Sequence, residues 1–130
     1  ACAQIADAIG SSAVDMSGQT SLPQFVGLIA RCDLVVSNDG GPLHIAASQD
    51  VPTVSIFGPV DPHVYGPYPG DPTRHKVIRM EGLPCRPCYH RFKLPPCPYE
   101  QACLTTISPE EIIEACTMVL GTADTRAAHG

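Results

Sequence analysis

The sequence lacks long apolar runs and has few basic residues. No apolar stretch reaches the length of about eighteen residues that a membrane-spanning helix requires. Eight Lys and Arg residues are outnumbered by thirteen Asp and Glu residues, which gives a net charge of −5. A general nucleic-acid surface needs clustered positive charge, so nucleic acid is not an expected partner. The first residues also lack the basic start and apolar run of a signal peptide.

The basic residues that do occur lie close together in the sequence. Eight of them fall within twenty positions: Arg74, His75, Lys76, Arg79, Arg86, His90, Arg91 and Lys93. This stretch is typical of a solvated surface loop. The alternative is a local site for an anionic partner, such as a phosphorylated glycolipid.

The length and composition indicate about one domain. The chain has 130 residues, of which 44% are hydrophobic, enough for a modest core. Its first ten residues have the pattern of the end of an amphipathic helix, with Gly10 as its C-cap. We therefore expect a fragment whose preceding residues belong to the same fold.

Strand and helix patterns alternate along the chain. Ser21 is expected to cap a helix, and the apolar runs at 34–36 and 51–58 are short and β-branched, as in strands covered on both faces. The Pro- and Gly-rich residues 61–71 are expected to form a loop, followed by a third strand near 75–80. A last helix is predicted at 108–120. This order predicts an α/β fold with a parallel sheet and flanking helices.

A glycine turn joins the first of these strands to a helix that starts near Pro42. In the segment SNDGGPLHIAA, Gly40 and Gly41 would let the backbone approach a ligand closely and adopt φ values that other residues avoid. The free amides of the following helix favour phosphate, at the sheet edge where open α/β folds bind ligands. Asp39 would then bind hydroxyl groups of the ligand, or it would simply cap the helix. His44, one turn further on, would face either the ligand or the core.

This pattern alone is weak, because the chain has neither the lysine of a P-loop nor a G-x-G-x-x-G fingerprint. Three motifs in order make it more specific. They are GQTSL at Gly18–Leu22, NDGGPLH at Asn38–His44, and PTVSIFGPVDP at Pro52–Pro62. Over residues 14–120 the chain resembles the C-terminal domain of glycosyltransferase family 9, the ADP-heptose:lipopolysaccharide heptosyltransferases.

The resemblance implies a GT-B architecture, in which two Rossmann-like domains enclose the active site. Residues 1–130 would form part of the C-terminal, donor-binding domain. The donor would be an ADP-activated heptose or related sugar, and the acceptor a lipopolysaccharide core or similar glycan, without an obligatory metal ion. The expected donor-binding residues are Asn38, Asp39, Gly40, Gly41, Pro42 and His44. The location implied is the cytoplasm, either free or peripheral at the inner face of the bacterial inner membrane.

Two departures from the family pattern bear on activity. Gly40 stands where the family commonly has Ser or Thr, so a hydroxyl contact to phosphate is lost. The family's acidic catalytic base lies in an N-terminal domain, so no catalytic residue is assigned in this chain. We expect these 130 residues to be inactive alone.

Four of the seven cysteines lie in a Pro-rich stretch at 83–104. Cys85 and Cys88 form a C-x-x-C pair, and Cys97 and Cys103 are separated by five residues. A C-x-x-C pair with a second pair nearby is typical of a closed four-thiolate site for zinc, or for iron, and the second pair here is spaced more widely than in common zinc ribbons. Two disulfides and unlinked thiols are the alternatives, of which disulfides are disfavoured in a reducing cytosol.

Three functions are therefore compared. The first is the glycosyltransferase, which the motifs favour. The second is a nucleotide-sugar or glycan-binding module without chemistry. The third is a nucleotide-sugar epimerase-like enzyme, which also uses an acidic glycine turn for diphosphate.

Overall fold

The computed structural model describes residues 1–89 and 93–127, and side chains as far as residue 122. In chain order its elements are α1 (Cys2–Ile9), α2 (Leu22–Ile29), β1 (Val35–Asn38), α3 (Gly41–Ser48), β2 (Thr53–Phe57), α4 (Pro62–Tyr65), β3 (His75–Arg79), α5 (Ala102–Thr105) and α6 (Pro109–Ala127). No helix within these described ranges is long and apolar enough to cross a membrane.

The strands form a parallel sheet in the order β1-β2-β3, which confirms the predicted α/β fold. The central strand β2 is buried almost throughout because helices cover both of its faces. Val54 packs with Ile78, Ala115 and Val119 beneath α6. Phe57 points to the opposite face and packs with Leu43 of α3, so the domain has three layers.

Local sequence signals place several helix starts. The Ser21 hydroxyl accepts a hydrogen bond from the Gln24 amide, and the Gln24 side chain accepts one from the Ser21 amide, which completes the predicted capping box. Ser108 likewise accepts a bond from the Glu111 amide at the start of α6. Side chains that satisfy the first free amides therefore fix where these helices begin.

Three boundaries differ from the sequence-based expectations. Residues 61–71 contain the single turn α4, because the Asp61 carboxylate caps the His63 amide at 2.9 Å. The stretch 83–104 contains most of another turn, α5. Helix α6 continues through Gly121 to Ala127, beyond the predicted end at 120, because a lone glycine weakens a helix without ending it.

A polar pair lies inside the sheet. Thr53 and His75 are 0% and 4% exposed, and the Thr53 hydroxyl lies 3.0 Å from His75 Nδ1. Burial lowers the pKa of His75, and the neighbouring Arg74 cation lowers it further, against smaller opposing effects of Asp50 and Asp71. The neutral imidazole is therefore the form that the fold favours.

Candidate functional site

The parallel sheet brings three loops together at its carboxyl edge. Residues 39–40 follow β1, residues 58–61 follow β2, and residues 80–89 follow β3. A cavity of about 360 Å³ lies at this edge. Its lining comprises Asp39, Gly40, His44, Pro59, Val60, Tyr65, Tyr89 and Leu94. Open α/β sheets bind their ligands at this position, so the cavity is the candidate site.

A backbone hydrogen bond to β2 fixes the position of Asp39 beside this cavity. Its amide donates to the carbonyl of Ile56 at 3.2 Å, which extends the pairing of β1 with β2 by one residue. Burial raises the pKa of the Asp39 carboxyl, although its own backbone amide partly opposes that effect. A half-buried acid of this kind is suited to accept hydrogen bonds from ligand hydroxyl groups.

The N-terminus of α3 opens beside Asp39. The N-cap is Gly40, and among the described residues no side chain accepts a hydrogen bond from the first turn, so the expected alternative in which Asp39 caps the helix is not what forms. The free amides and the positive end of the helix dipole are thus available to an anion.

Neither Gly40 nor Gly41 has a backbone conformation that other residues avoid. Gly40 has φ of 162°, which is extended backbone, and Gly41 is not among the residues with positive φ. The part of the prediction that invoked forbidden φ values is therefore wrong. A side chain at Gly41 would meet nothing within 4 Å and would project into the open space at the helix start.

The six residues predicted for donor binding are only partly brought together. Asp39, Gly40 and His44 line the cavity, and the exposed His44 side chain faces it and not the core. Asn38, Gly41 and Pro42 are exposed beside the cavity but are not part of its lining. Their assignment to the donor remains a prediction.

Sequence reasoning did not find the aromatic part of the lining. Tyr65 and Tyr89 meet edge to face, with ring centroids 5.9 Å apart and an interplanar angle of 71°. Tyr65 ends α4, and Tyr89 lies in the cysteine-rich stretch, so 24 positions separate them. Only the rule that parallel strands end at one edge connects the loops that carry them.

The stretch 83–104, here called the cysteine segment, forms the wall that carries Tyr89 and Leu94. The amides of Cys88 and Tyr89 both donate to the carbonyl of Pro59, at 3.0 and 3.2 Å. Arg86 donates from Nη1 to the Met80 carbonyl at 2.7 Å and from Nη2 to the Val60 carbonyl at 3.4 Å. Hydrogen bonds thus attach this segment to the sheet edge.

The four cysteines of this segment are free thiols in the structure. Burial raises the pKa of Cys103, the nearby Arg86 lowers it, and the thiolates of Cys88, Cys97 and Cys85 raise it further. Across residues 1–89 and 93–127, no three His, Cys, Asp or Glu side chains are already arranged to hold a metal ion. A metal at these cysteines therefore stays a prediction.

The basic stretch is divided among separate contacts. Arg74 pairs with Asp50 at 2.9 Å, and Arg79 pairs with Glu81 at 2.7 Å. His90 and Arg91 lie outside the described residues. The anionic site suggested for this stretch therefore stays a prediction.

A larger cavity, about 760 Å³, lies between α1, α2 and β1. Its lining is mainly aliphatic, with Asp15 as its one charged residue. Its lining includes none of the three loops at the carboxyl edge of the sheet, where open α/β folds bind their ligands. We therefore keep the carboxyl-edge cavity as the candidate site.

Comparison with known proteins gives a consistent result. The chain matches the model of glycosyltransferase family 9 (heptosyltransferase) over residues 1–97. It is 32% identical to lipooligosaccharide heptosyltransferase 2 of Campylobacter jejuni over 101 residues, 77% of the chain and 30% of that protein. It is 43% identical to lipopolysaccharide heptosyltransferase 2 of Salmonella typhimurium over 68 residues, 51% of the chain and 18% of that protein.

No solved structure matches the chain significantly. The chain spans less than a third of the length of the two heptosyltransferases named above. The residues that match the family model include the whole glycine turn and the third strand. The family match covers three quarters of the chain, and the parallel sheet with flanking helices is consistent with it. The chain belongs to glycosyltransferase family 9, the heptosyltransferase family.

Proposed function

We propose that this chain is the donor-binding part of a glycosyltransferase that transfers heptose, or a related sugar, from an ADP-activated donor to a lipopolysaccharide core or similar glycan. The observation that carries the proposal is the cavity at the start of α3, where Asp39 lies beside free helix amides. A sugar nucleotide has both partners for these groups, because its diphosphate suits the amides and its sugar hydroxyls suit the carboxylate.

The aromatic wall supports the same proposal. Tyr65 and Tyr89 present rings to a cavity whose other side carries Asp39 and His44. Aromatic rings pack well against the faces of bases and sugars. In this proposal the two tyrosines contact the nucleoside or the sugar, and His44 lines the pocket near the diphosphate.

Transfer itself would need groups that these 130 residues do not supply. We propose that the catalytic base lies in an N-terminal domain of the same protein, and that this chain alone binds donor without turnover. We further propose that transfer requires no metal ion. Any ion held by Cys85, Cys88, Cys97 and Cys103 would be structural, because four protein ligands leave no open position for a substrate. The proposed location is the cytoplasm, peripheral to the inner membrane.

Calorimetric titration of the chain with ADP and with UDP tests the donor site. We expect weak binding that favours ADP. Asp39→Ala tests the carboxylate and is titrated with an ADP-sugar, because ADP alone lacks the sugar hydroxyls. Gly41→Val should weaken ADP binding about tenfold or more, roughly 1.4 kcal/mol, by filling the helix start.

Matched controls are available elsewhere in the chain. Asp33→Ala removes an exposed acid just before β1, at the opposite edge of the sheet, and Gly27→Val adds the same side chain where nothing lies within 4 Å. Both should bind ADP as the parent does. Equal affinity for ADP and UDP, or unchanged affinity in Gly41→Val, would contradict the proposed site.

A further inference from the structure

The cysteine segment has a second cavity directly beside the donor cavity. This second cavity has a volume of about 310 Å³ and is lined by Pro59, Cys88, Leu94, Pro95, Pro96, Cys97, Gln101, Cys103 and Leu104. Three of the four clustered cysteines therefore face one space. The fourth, Cys85, forms the C-x-x-C pair with Cys88.

The polar groups around these sulfurs are suited to negative charge. The amide of Gln101 donates to the Cys97 sulfur at 3.3 Å, with Gln101 and Glu100 in the left-handed region at φ of 58° and 50°. The buried Nε of Arg86, which directly follows Cys85, has no hydrogen-bond partner among the described residues. A backbone amide that donates to a cysteine sulfur stabilises the thiolate, which is the form that binds metal.

Beyond its hydrogen bonds to the sheet edge and the packing of Tyr89 against the cluster of Leu43, Phe57 and Val60, the segment has little apolar burial. Among its described residues only Cys103 is buried. Leu104, which is 37% exposed, lies against the end of β2 where a side chain on Gly58 would come within 3.0 Å of it. A chain segment with so little apolar burial gains most from a metal crosslink, because ordering it by packing alone is unfavourable.

We propose that Cys85, Cys88, Cys97 and Cys103 bind one zinc ion as thiolates, and that this ion holds the segment in place as a wall of the donor cavity. The two cavities share Pro59 and Leu94, and Tyr89 directly follows Cys88. Because no three ligands are already arranged among the described residues, binding draws the segment together and fixes Tyr89 and Leu94. The ion acts on donor binding without touching the donor.

The zinc site stands by itself, whereas its effect on the donor rests on the proposed function. Metal analysis of the reduced chain, purified without oxygen or chelator, tests the first part. We expect about one zinc ion per chain, as in closed four-thiolate sites. Cys88→Ser and Cys103→Ser should lose the zinc, while Cys2→Ser on α1 and Cys116→Ser on α6 should keep it.

A titration of the parent chain with Co²⁺ tests the same site without depending on whether the cysteine variants fold. Metal-free parent chain should develop the intense visible bands of tetrahedral cobalt bound to four thiolates, and zinc should displace them. Reduced protein without zinc, or Co²⁺ spectra without thiolate bands, would overturn the site. Iron at the same stoichiometry would overturn the choice of zinc.

The effect on the donor is measured on the same samples. Removing zinc with a chelator should weaken ADP binding roughly tenfold, because two side chains must then be ordered by the ligand, and returning zinc should restore it. Bound zinc whose removal leaves ADP affinity unchanged would overturn the coupling. Absence of ADP binding in the zinc-loaded chain would overturn the proposed donor site and the coupling, and leave the zinc site established.

Discussion

The two walls of the carboxyl-edge cavity are held in place by different forces. The wall formed by Asp39, Gly40 and His44 extends from a sheet whose central residues are fully buried between helices. The wall formed by Tyr89 and Leu94 belongs to the cysteine segment, where Cys103 is the only buried residue among those described, and hydrogen bonds to Pro59 and Val60 supplement the packing of Tyr89 against the core. Tight packing fixes a site without help, whereas an exposed segment needs a crosslink to keep one position.

Removing the core beneath the first wall gives the largest expected effect. Phe57 is 0% exposed and packs with Leu43 of α3 and with Val60. Phe57→Ala should lower the free energy of unfolding by about 3–5 kcal/mol through lost burial and a cavity. Urea denaturation measures this change. Tyr99→Ala, which truncates a 53% exposed ring in the cysteine segment, is the control, and an equal loss there would refute the contrast between the walls.

The next prediction concerns the turn that presents Tyr65 to the cavity. A side chain on Gly66 would collide with the backbone carbonyl of Pro62, so α4 has no room for one. Gly66→Ala should therefore cost about 1–3 kcal/mol of unfolding free energy, as overpacking does, and should displace Tyr65. Gly70→Ala, where the nearest atom outside its chain neighbours is the Pro67 carbonyl at 3.6 Å, should be nearly neutral in the same denaturation experiment.

A smaller effect is expected where the second wall meets the sheet. Leu104→Ala removes the apolar contact with the end of β2, but this side chain is already 37% exposed. The unfolding free energy should fall by about 1 kcal/mol, well below the cost of emptying a buried site. A loss as large as that of Phe57→Ala would mean that the cysteine segment is part of the main core.

The smallest prediction uses pH to test the sheet itself. Because the folded-state pKa of His75 is lowered by burial, protons bind the unfolded state more readily. The unfolding free energy should be fully retained above the ordinary His pKa, near 6.5, and should fall as the pH drops below it, by less than about 1.4 kcal/mol per pH unit. Asp50 and Asp71 oppose this shift, which reduces the slope further.

A difference between variants isolates the His75 contribution. His75→Asn keeps an amide group near the Thr53 hydroxyl and should show a flatter dependence of unfolding free energy on pH between 5 and about 6.5. His63→Asn changes an exposed side chain and should follow the parent. A parent and His75→Asn with parallel curves would contradict the assignment of this slope to His75.

The sequence predicted the central features of the fold because they depend on local signals. Capping residues such as Ser21 and Ser108 set helix starts, and the β-branched run of β2 indicated a strand covered on both faces. The strand–glycine–helix turn was likewise confirmed, whereas the binding roles of Asp39 and His44 stay predictions. The confirmed predictions held because neighbouring residues determine them.

The sequence was less informative where contacts come from distant residues. The aromatic wall joins Tyr65 to Tyr89, and the second cavity joins Pro59 to Cys103. The end of α6 and the extended backbone of Gly40 also differed from expectation, because a glycine permits several conformations and its surroundings select one.

The sequence by itself determined the α/β class, the family and the turn that carries Asp39, since each depends on residue types in a fixed order along the chain. Only the tertiary structure decided that His44 faces the cavity, that two tyrosines complete its wall, and that the cysteine segment lies beside it. The physical reason is that parallel strands end at a common edge, so loops far apart in sequence become neighbours only when the sheet forms.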